Sequence, residues 1–170
     1  MKMGPCLGLI GLTLSKSPIL LVEDSETDVL LLERAFQKAT APVPLKVVRD
    51  GLEAVAYLAG EGKYADRASF PLPSFVLLDL KLPKRSGFEV LEWIRSDPRV
   101  HRLPVIVLTS STETRDVIRA RALGILAYLV KPVGFDELRR LALILYRYWS
   151  APDDEVRAAL SRISVVPLEG

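Results

Sequence analysis

The sequence is poor in residues that would announce several chemistries. Its 170 residues include one cysteine, Cys6, and one histidine, His101. A lone cysteine forms no intramolecular disulfide, which excludes a stapled secreted scaffold and fits a reducing compartment, so a cytoplasmic location is expected. His101 sits in a loop between Arg99 and Arg102 and reads as a solvated residue rather than a catalytic base; a phosphotransfer histidine would need a helix face. An excess of one charge is also missing. Twenty-three Lys and Arg against 21 Asp and Glu leave a net charge of +2, without the basic surplus of a nucleic-acid binder or a charged disordered tail. No apolar run is long enough to span a membrane. The apolar start is broken by Gly8 and Gly11 and followed by Ser15-Lys16-Ser17-Pro18 instead of a small-x-small cleavage site. Residues 1–17 therefore read as a disordered extension rather than a targeting segment.

What is present is a regular alternation. Beyond Pro18, short β-branched and Leu-rich runs at 19–22, 45–48, 75–78, 105–108 and 127–130 alternate with longer amphipathic stretches at about 26–40, 52–60, 87–95, 113–123 and 136–149. Strands that are apolar throughout are buried on both faces, so the pattern predicts an α/β, doubly wound, five-stranded parallel sheet. Asp50 with Glu53 fits a capping box, Asp97-Pro98 ends the third helix, and Gly124 suits the end of the fourth. The hydroxyl residues of 110–114 read as caps of that fourth helix. Residues 60–74 read as an exposed loop without a core of its own, and 150–170 as a tail with one short helix at 153–163.

In an open parallel sheet, ligands bind outside the carboxyl ends of the strands. Those ends carry Glu23-Asp24, Asp79, Thr109-Ser110 and Lys131-Pro132. Any one of these is by default a cap or a solvated loop residue. Gathered on one edge, three carboxylates repel one another unless a hard divalent cation with oxygen ligands joins them. Such a group suits a phosphoryl acceptor: a carboxylate attacks phosphorus, Mg2+ between Asp24 and Asp79 neutralises one side, Lys131 another, and the Thr109 hydroxyl bonds a third oxygen.

On these residues the chain resembles the receiver domains of two-component response regulators over about 18–149. The match rests on Ile19-Leu-Leu-Val-Glu-Asp24, Val76-Leu-Leu-Asp79-Leu-Lys-Leu-Pro83 followed by Gly87, Leu108-Thr109-Ser110 and Lys131-Pro132. The resemblance implies a flavodoxin-like fold with strand order 2-1-3-4-5. It implies phosphorylation at Asp79, Mg2+ held by Glu23, Asp24, Asp79 and the Lys81 carbonyl, a switch hydroxyl at Thr109, a phosphate-sensing Lys131 and an aromatic at Tyr128 that follows the hydroxyl. Phosphorylation, adding about −1.5 to −2 charges, is expected to pull Thr109 and Lys131 inward and to change partner binding.

The loop at 60–74, Leu82-Pro83-Lys84, Asp97-Pro98 and the aromatics of 146–149 resemble the small stand-alone regulators paired with bacterial phytochrome histidine kinases. A sensor histidine kinase is then the expected partner. The short stretch after Lys131 leaves no room for a DNA-binding or catalytic output module, so neither nucleic acid nor membrane is expected as a partner. The last helix carries a core stripe of Leu138, Leu141, Ala142, Leu145 and Trp149, with Leu143, Ile144 and Tyr146 lying off it. Either the tail covers these or a second copy does, and a homodimer through the fifth strand and last helix is the favoured expectation. The competing class is an aspartate-nucleophile phosphohydrolase of the haloacid dehalogenase type. That group places a second acid two residues after its nucleophile, where this chain has Lys81, and the expectation is a signalling domain rather than an enzyme.

Overall fold

The computed structural model describes residues 17–151 and 154–163, so all of the expected extension 1–17 except Ser17 lies outside the described residues. Five parallel strands, β1 (Ile19–Val22), β2 (Leu45–Val48), β3 (Phe75–Leu78), β4 (Val105–Thr109) and β5 (Ala127–Val130), form one sheet in the order β2-β1-β3-β4-β5. The helices are α1 (Glu26–Lys38), α2 (Gly51–Ala59), α3 (Gly87–Ser96), α4 (Thr114–Ala122), α5 (Phe135–Ser150) and α6 (Asp154–Ile163).

Successive side chains of a strand point to opposite faces, and here each face has its own core. Ile19, Leu21, Phe75, Leu77, Ile106 and Leu108 join one cluster with α1 and α5, while Leu20, Val22, Val76, Leu78 and Val105 join another with α2 and α3. Burial on both sides is the physical reason why β1, β3 and β4 lack alternation. A third, smaller cluster places Phe88, Val117 and Ala120 against Val107 and Tyr128, and so seats α4.

Several local expectations change. The stretch 60–74 is not coreless: Tyr64 is buried, and with Tyr57 of α2 and Phe70 it forms an aromatic group with ring centroids 5.0–6.1 Å apart. Arg67 donates to the carbonyls of Tyr57, Leu58 and Phe70, so the loop supplies partners for the open carbonyl end of α2. The Asp50–Glu53 box is half formed. Asp50 accepts from the Glu53 amide at 2.8 Å, but the Glu53 carboxylate takes the Arg49 amide, Lys63 and Tyr64 instead of the Asp50 amide. A full box stands at α3, where Ser86 and Glu89 cap reciprocally. The hydroxyls before α4 do not cap it conventionally: Glu113 is the N-cap without a side-chain bond, and Ser111 donates to Asp116 at 2.6 Å. At the end of α5 the buried ring is Tyr148, packed on Phe75, rather than Trp149, whose indole N–H donates to the Ser17 carbonyl.

The tail supplies the clearest change. Helix α6 lies against α5 and β5, and Leu160 is fully buried in the core cluster shared by α1 and α5. Of the three residues expected at a pairing surface, Leu143 is exposed, Ile144 is half-buried and faces Val156 and Ala159 across the α5–α6 groove, and Tyr146 packs on Trp149. They do not form one patch: Leu143 and Tyr146, three residues apart, share a side of α5, whereas Ile144 turns toward α6.

Candidate functional site at the carboxyl edge of the sheet

Register brings the expected residues together. Val22 is level with Leu78 and Leu78 with Val107, so Glu23 and Asp79 emerge side by side from β1 and β3. Thr109 pairs with Val130 at the top of β4 and β5, which puts Lys131 at the same edge. Backbone bonds continue past the strands, from Asp79 N–H to the Val22 carbonyl at 3.1 Å and from Lys131 N–H to the Thr109 carbonyl at 2.8 Å, and these fix the origins of both side chains. Gly87 has no alternative: a Cβ there would stand 2.2 Å from the Asp79 carbonyl oxygen and 2.6 Å from Leu80 Cα. The start of α3 can therefore press directly on the backbone that carries Asp79.

Asp79 is 5% exposed. One of its carboxylate oxygens accepts the Thr109 hydroxyl at 2.8 Å and the Lys81 amide at 3.1 Å, and the other accepts Lys131 Nζ at 2.9 Å. Lys131 also reaches Glu23 at 2.6 Å and Asp28 at 2.7 Å. Burial opposes the charge on Lys131, but hydrogen bonds and ion pairs to Asp28, Glu23 and Asp79 outweigh it and raise its pKa above the ordinary lysine value. Glu23 shifts upward because burial disfavours its charge more than Lys131 and the Ser25 amide favour it. Glu23, exposed Asp24 and Asp79 each present a carboxylate oxygen, all within 4.8 Å of one another. Three hard oxygen donors at that spacing suit a divalent cation and suit a soft metal poorly.

Thr109 and Lys131 thus contact Asp79 directly, the hydroxyl on one carboxylate oxygen and the ammonium on the other. Buried polar oxygens need donors, and these two side chains supply one to each oxygen of Asp79. Tyr128 is likewise buried, with its hydroxyl donating to the Ser111 carbonyl at 3.1 Å, and the Ser111 amide approaches Thr109 Oγ1 at 3.4 Å. His101 stays in its loop, exposed, its Nδ1 2.9 Å from the Pro98 carbonyl.

Sequence reading missed Asp28. It occupies the first turn of α1, its amide capped by the Ser25 hydroxyl at 3.2 Å, and its carboxylate crosses to Lys131, 103 positions later in the chain. The available clue was Ser25-x-x-Asp28, which reads as a capping pattern; the pairing across the sheet edge leaves no mark in sequence.

Fold and site together define a class, the phosphorylation-switched signalling domains of two-component systems. The chain belongs to the response regulator receiver domain family, matched over residues 19–142. It is 39% identical over 131 residues to the response regulator Rcp1 of Synechocystis, covering 77% of this chain and 87% of that one. It is also 39% identical to the probable methanogenesis regulatory protein FilR2 of Methanothrix harundinacea, covering 77% and 82%. The crystal structure of the phosphorylated cyanobacterial phytochrome response regulator RcpA superposes with a TM-score of 0.73 at 37% identity, covering 81% of this chain and 96% of that one. Among the described residues, no helix is long and apolar enough to cross a membrane.

Proposed function

We propose that Asp79 accepts a phosphoryl group from a sensor histidine kinase in the cytoplasm, and that the resulting acyl phosphate changes what the domain binds. The observation that carries this reading is the Asp79 carboxylate held between the Thr109 hydroxyl and the Lys131 ammonium at 2.8 and 2.9 Å, beside two further acids. An Asp79 oxygen forms its bond to phosphorus as the bond from phosphorus to the donor nitrogen breaks, the electron pair staying on the leaving imidazole. Thr109 and Lys131, aimed at the carboxylate, then turn their donors to phosphoryl oxygens and hold the new charge. Glu23, Asp24 and Asp79, with the Lys81 carbonyl, are the residues that would hold the cation, which we assign as Mg2+ and which supplies positive charge beside those oxygens. Tyr128, whose hydroxyl donates to the Ser111 carbonyl, would follow that hydroxyl. The protein catalyses only its own phosphorylation and dephosphorylation.

The hydrolase reading finds no support at its deciding position, because Lys81 follows Asp79 where a second acid is needed and offers its amide to the Asp79 carboxylate. A bacterial phytochrome is the kinase class favoured by the likeness to RcpA. FilR2, a probable methanogenesis regulatory protein, is as similar as Rcp1, so identity at this level does not choose the partner. Output by pairing of two copies through β5 and α5 would use exposed Val133, Phe135 and Leu143. The test is intact mass after incubation with Mg2+ and acetyl phosphate. A base-labile phosphoryl adduct on the wild type, absent from Asp79→Asn, is expected; an adduct persisting on Asp79→Asn would refute the assignment.

A further inference from the structure

We infer that Asp28 is a positioning residue that holds the Lys131 ammonium away from an incoming phosphoryl group and so restrains the loading of Asp79. This rests on Asp79 being the acceptor. An ammonium has three donors, and those of Lys131 are shared among Glu23, Asp28 and Asp79 at 2.6, 2.7 and 2.9 Å. Two of these carboxylates belong to the trio suited to a cation, and Asp28 does not. When Glu23 and Asp79 turn to a cation, Asp28 is the carboxylate left competing with the phosphoryl oxygens for Lys131.

Helix capping does not require this carboxylate. The Asp28 amide donates to the Ser25 hydroxyl oxygen, while the Ser25 amide donates to Glu23 at 3.1 Å, so the box that an acid at this position could complete is not formed. The Asp28 side chain is 38% exposed and points to Lys131, and the pair closes one side of a cavity of about 50 Å³ lined by Leu21, Leu32, Leu108 and Leu138. Charge bookkeeping gives the direction. Four carboxylates against one ammonium remain net negative after a divalent cation binds, and every phosphodonor is an anion. Neutralising Asp28 frees Lys131 and removes one repelling charge, which at these separations and ordinary ionic strength is worth on the order of three- to tenfold in rate.

The experiment follows loading by intact mass with Mg2+ for the wild type, Asp28→Asn and Asp28→Glu, at low and high salt, using two donors. Acetyl phosphate is doubly charged at neutral pH and phosphoramidate singly charged. With each, an Asp79 oxygen bonds phosphorus as the bond to acetate or to ammonia breaks, the electron pair leaving with that group. Asp28→Asn is expected to load roughly three- to tenfold faster with acetyl phosphate, less so with phosphoramidate, and with an advantage that shrinks as salt rises; Asp28→Glu is expected near the wild-type rate. A merely structural Asp28 would change both donors alike. Loading of Asp28→Asn at or below the wild-type rate, or acceleration by one factor for both donors at all salts, overturns the inference. No adduct on the wild type, or an adduct on Asp79→Asn, overturns the acceptor assignment as well.

Discussion

Lys131 is the residue whose removal the structure makes most informative about stability. Its side chain is 20% exposed, and its ammonium is shared with Glu23 and Asp79, whose side chains are 3% and 6% exposed. In Lys131→Met the apolar stem still fills the space beside Leu32 and Leu138, so packing is kept and the charge alone is lost. Breaking a fully buried ion pair by removing one partner costs about 3–5 kcal/mol, because the surviving charge stays buried and unpaired. The open side at Asp24 and Asp28 admits water, which brings the expected loss to about 2–3 kcal/mol. For a domain of this size that is roughly 6–10 °C in melting temperature. The measurement is urea unfolding in chelator and again with excess Mg2+. A cation joining Glu23, Asp24 and Asp79 takes over the compensation, so Mg2+ should stabilise Lys131→Met more than the wild type and close most of the gap. Stabilisation of both proteins by the same amount, or a variant within about 1 kcal/mol of wild type in chelator, would refute the reasoning.

Glu53 sets an acid limb. Burial opposes its charge, but Lys63, Tyr64 and the Arg49 amide together hold its pKa near 2, below the ordinary 4.5. A carboxylate with a lowered folded pKa adds stability that is full above its unfolded pKa and is lost as pH falls, here between about 4.5 and 2. Glu53→Gln is expected to cost about 1 kcal/mol at neutral pH, after allowance for solvent around the exposed Lys63, and to flatten unfolding free energy across that acid window; an unchanged slope would contradict it. At the other end of the chain, Leu160 of α6 is fully buried in the core shared by α1 and α5. Leu160→Ala is expected to lower stability by about 2 kcal/mol and, by loosening α6, to increase self-association in sedimentation; a variant with the parent's stability and the parent's sedimentation would show that α6 does not cover this face.

Much of the fold and site was legible in sequence because both are written in short local patterns. Uniformly apolar runs on β1, β3 and β4 follow from burial on two faces, and the polar residues that end them must lie at one edge in any parallel sheet. Glu23, Asp24, Asp79, Thr109 and Lys131 therefore fall together from the strand pattern alone. The aromatic group of Tyr57, Tyr64 and Phe70 was not legible, because a loop rich in Gly, Pro and charge looks solvated until its rings find each other. Glu53 likewise satisfied a capping pattern while its carboxylate served Arg49, Lys63 and Tyr64.

By itself, the sequence determined the class, the sheet and the set of polar side chains at its edge, since periodicity and strand-end chemistry are properties of neighbours in the chain. Only the tertiary structure decided that Asp28 joins Lys131, that Thr109 and Lys131 take different oxygens of Asp79, and that Leu160 of α6 is buried in the core shared by α1 and α5. Each of these is a contact between segments far apart in sequence. Which of several compatible partners a charged or apolar group takes depends on distances that no local pattern encodes.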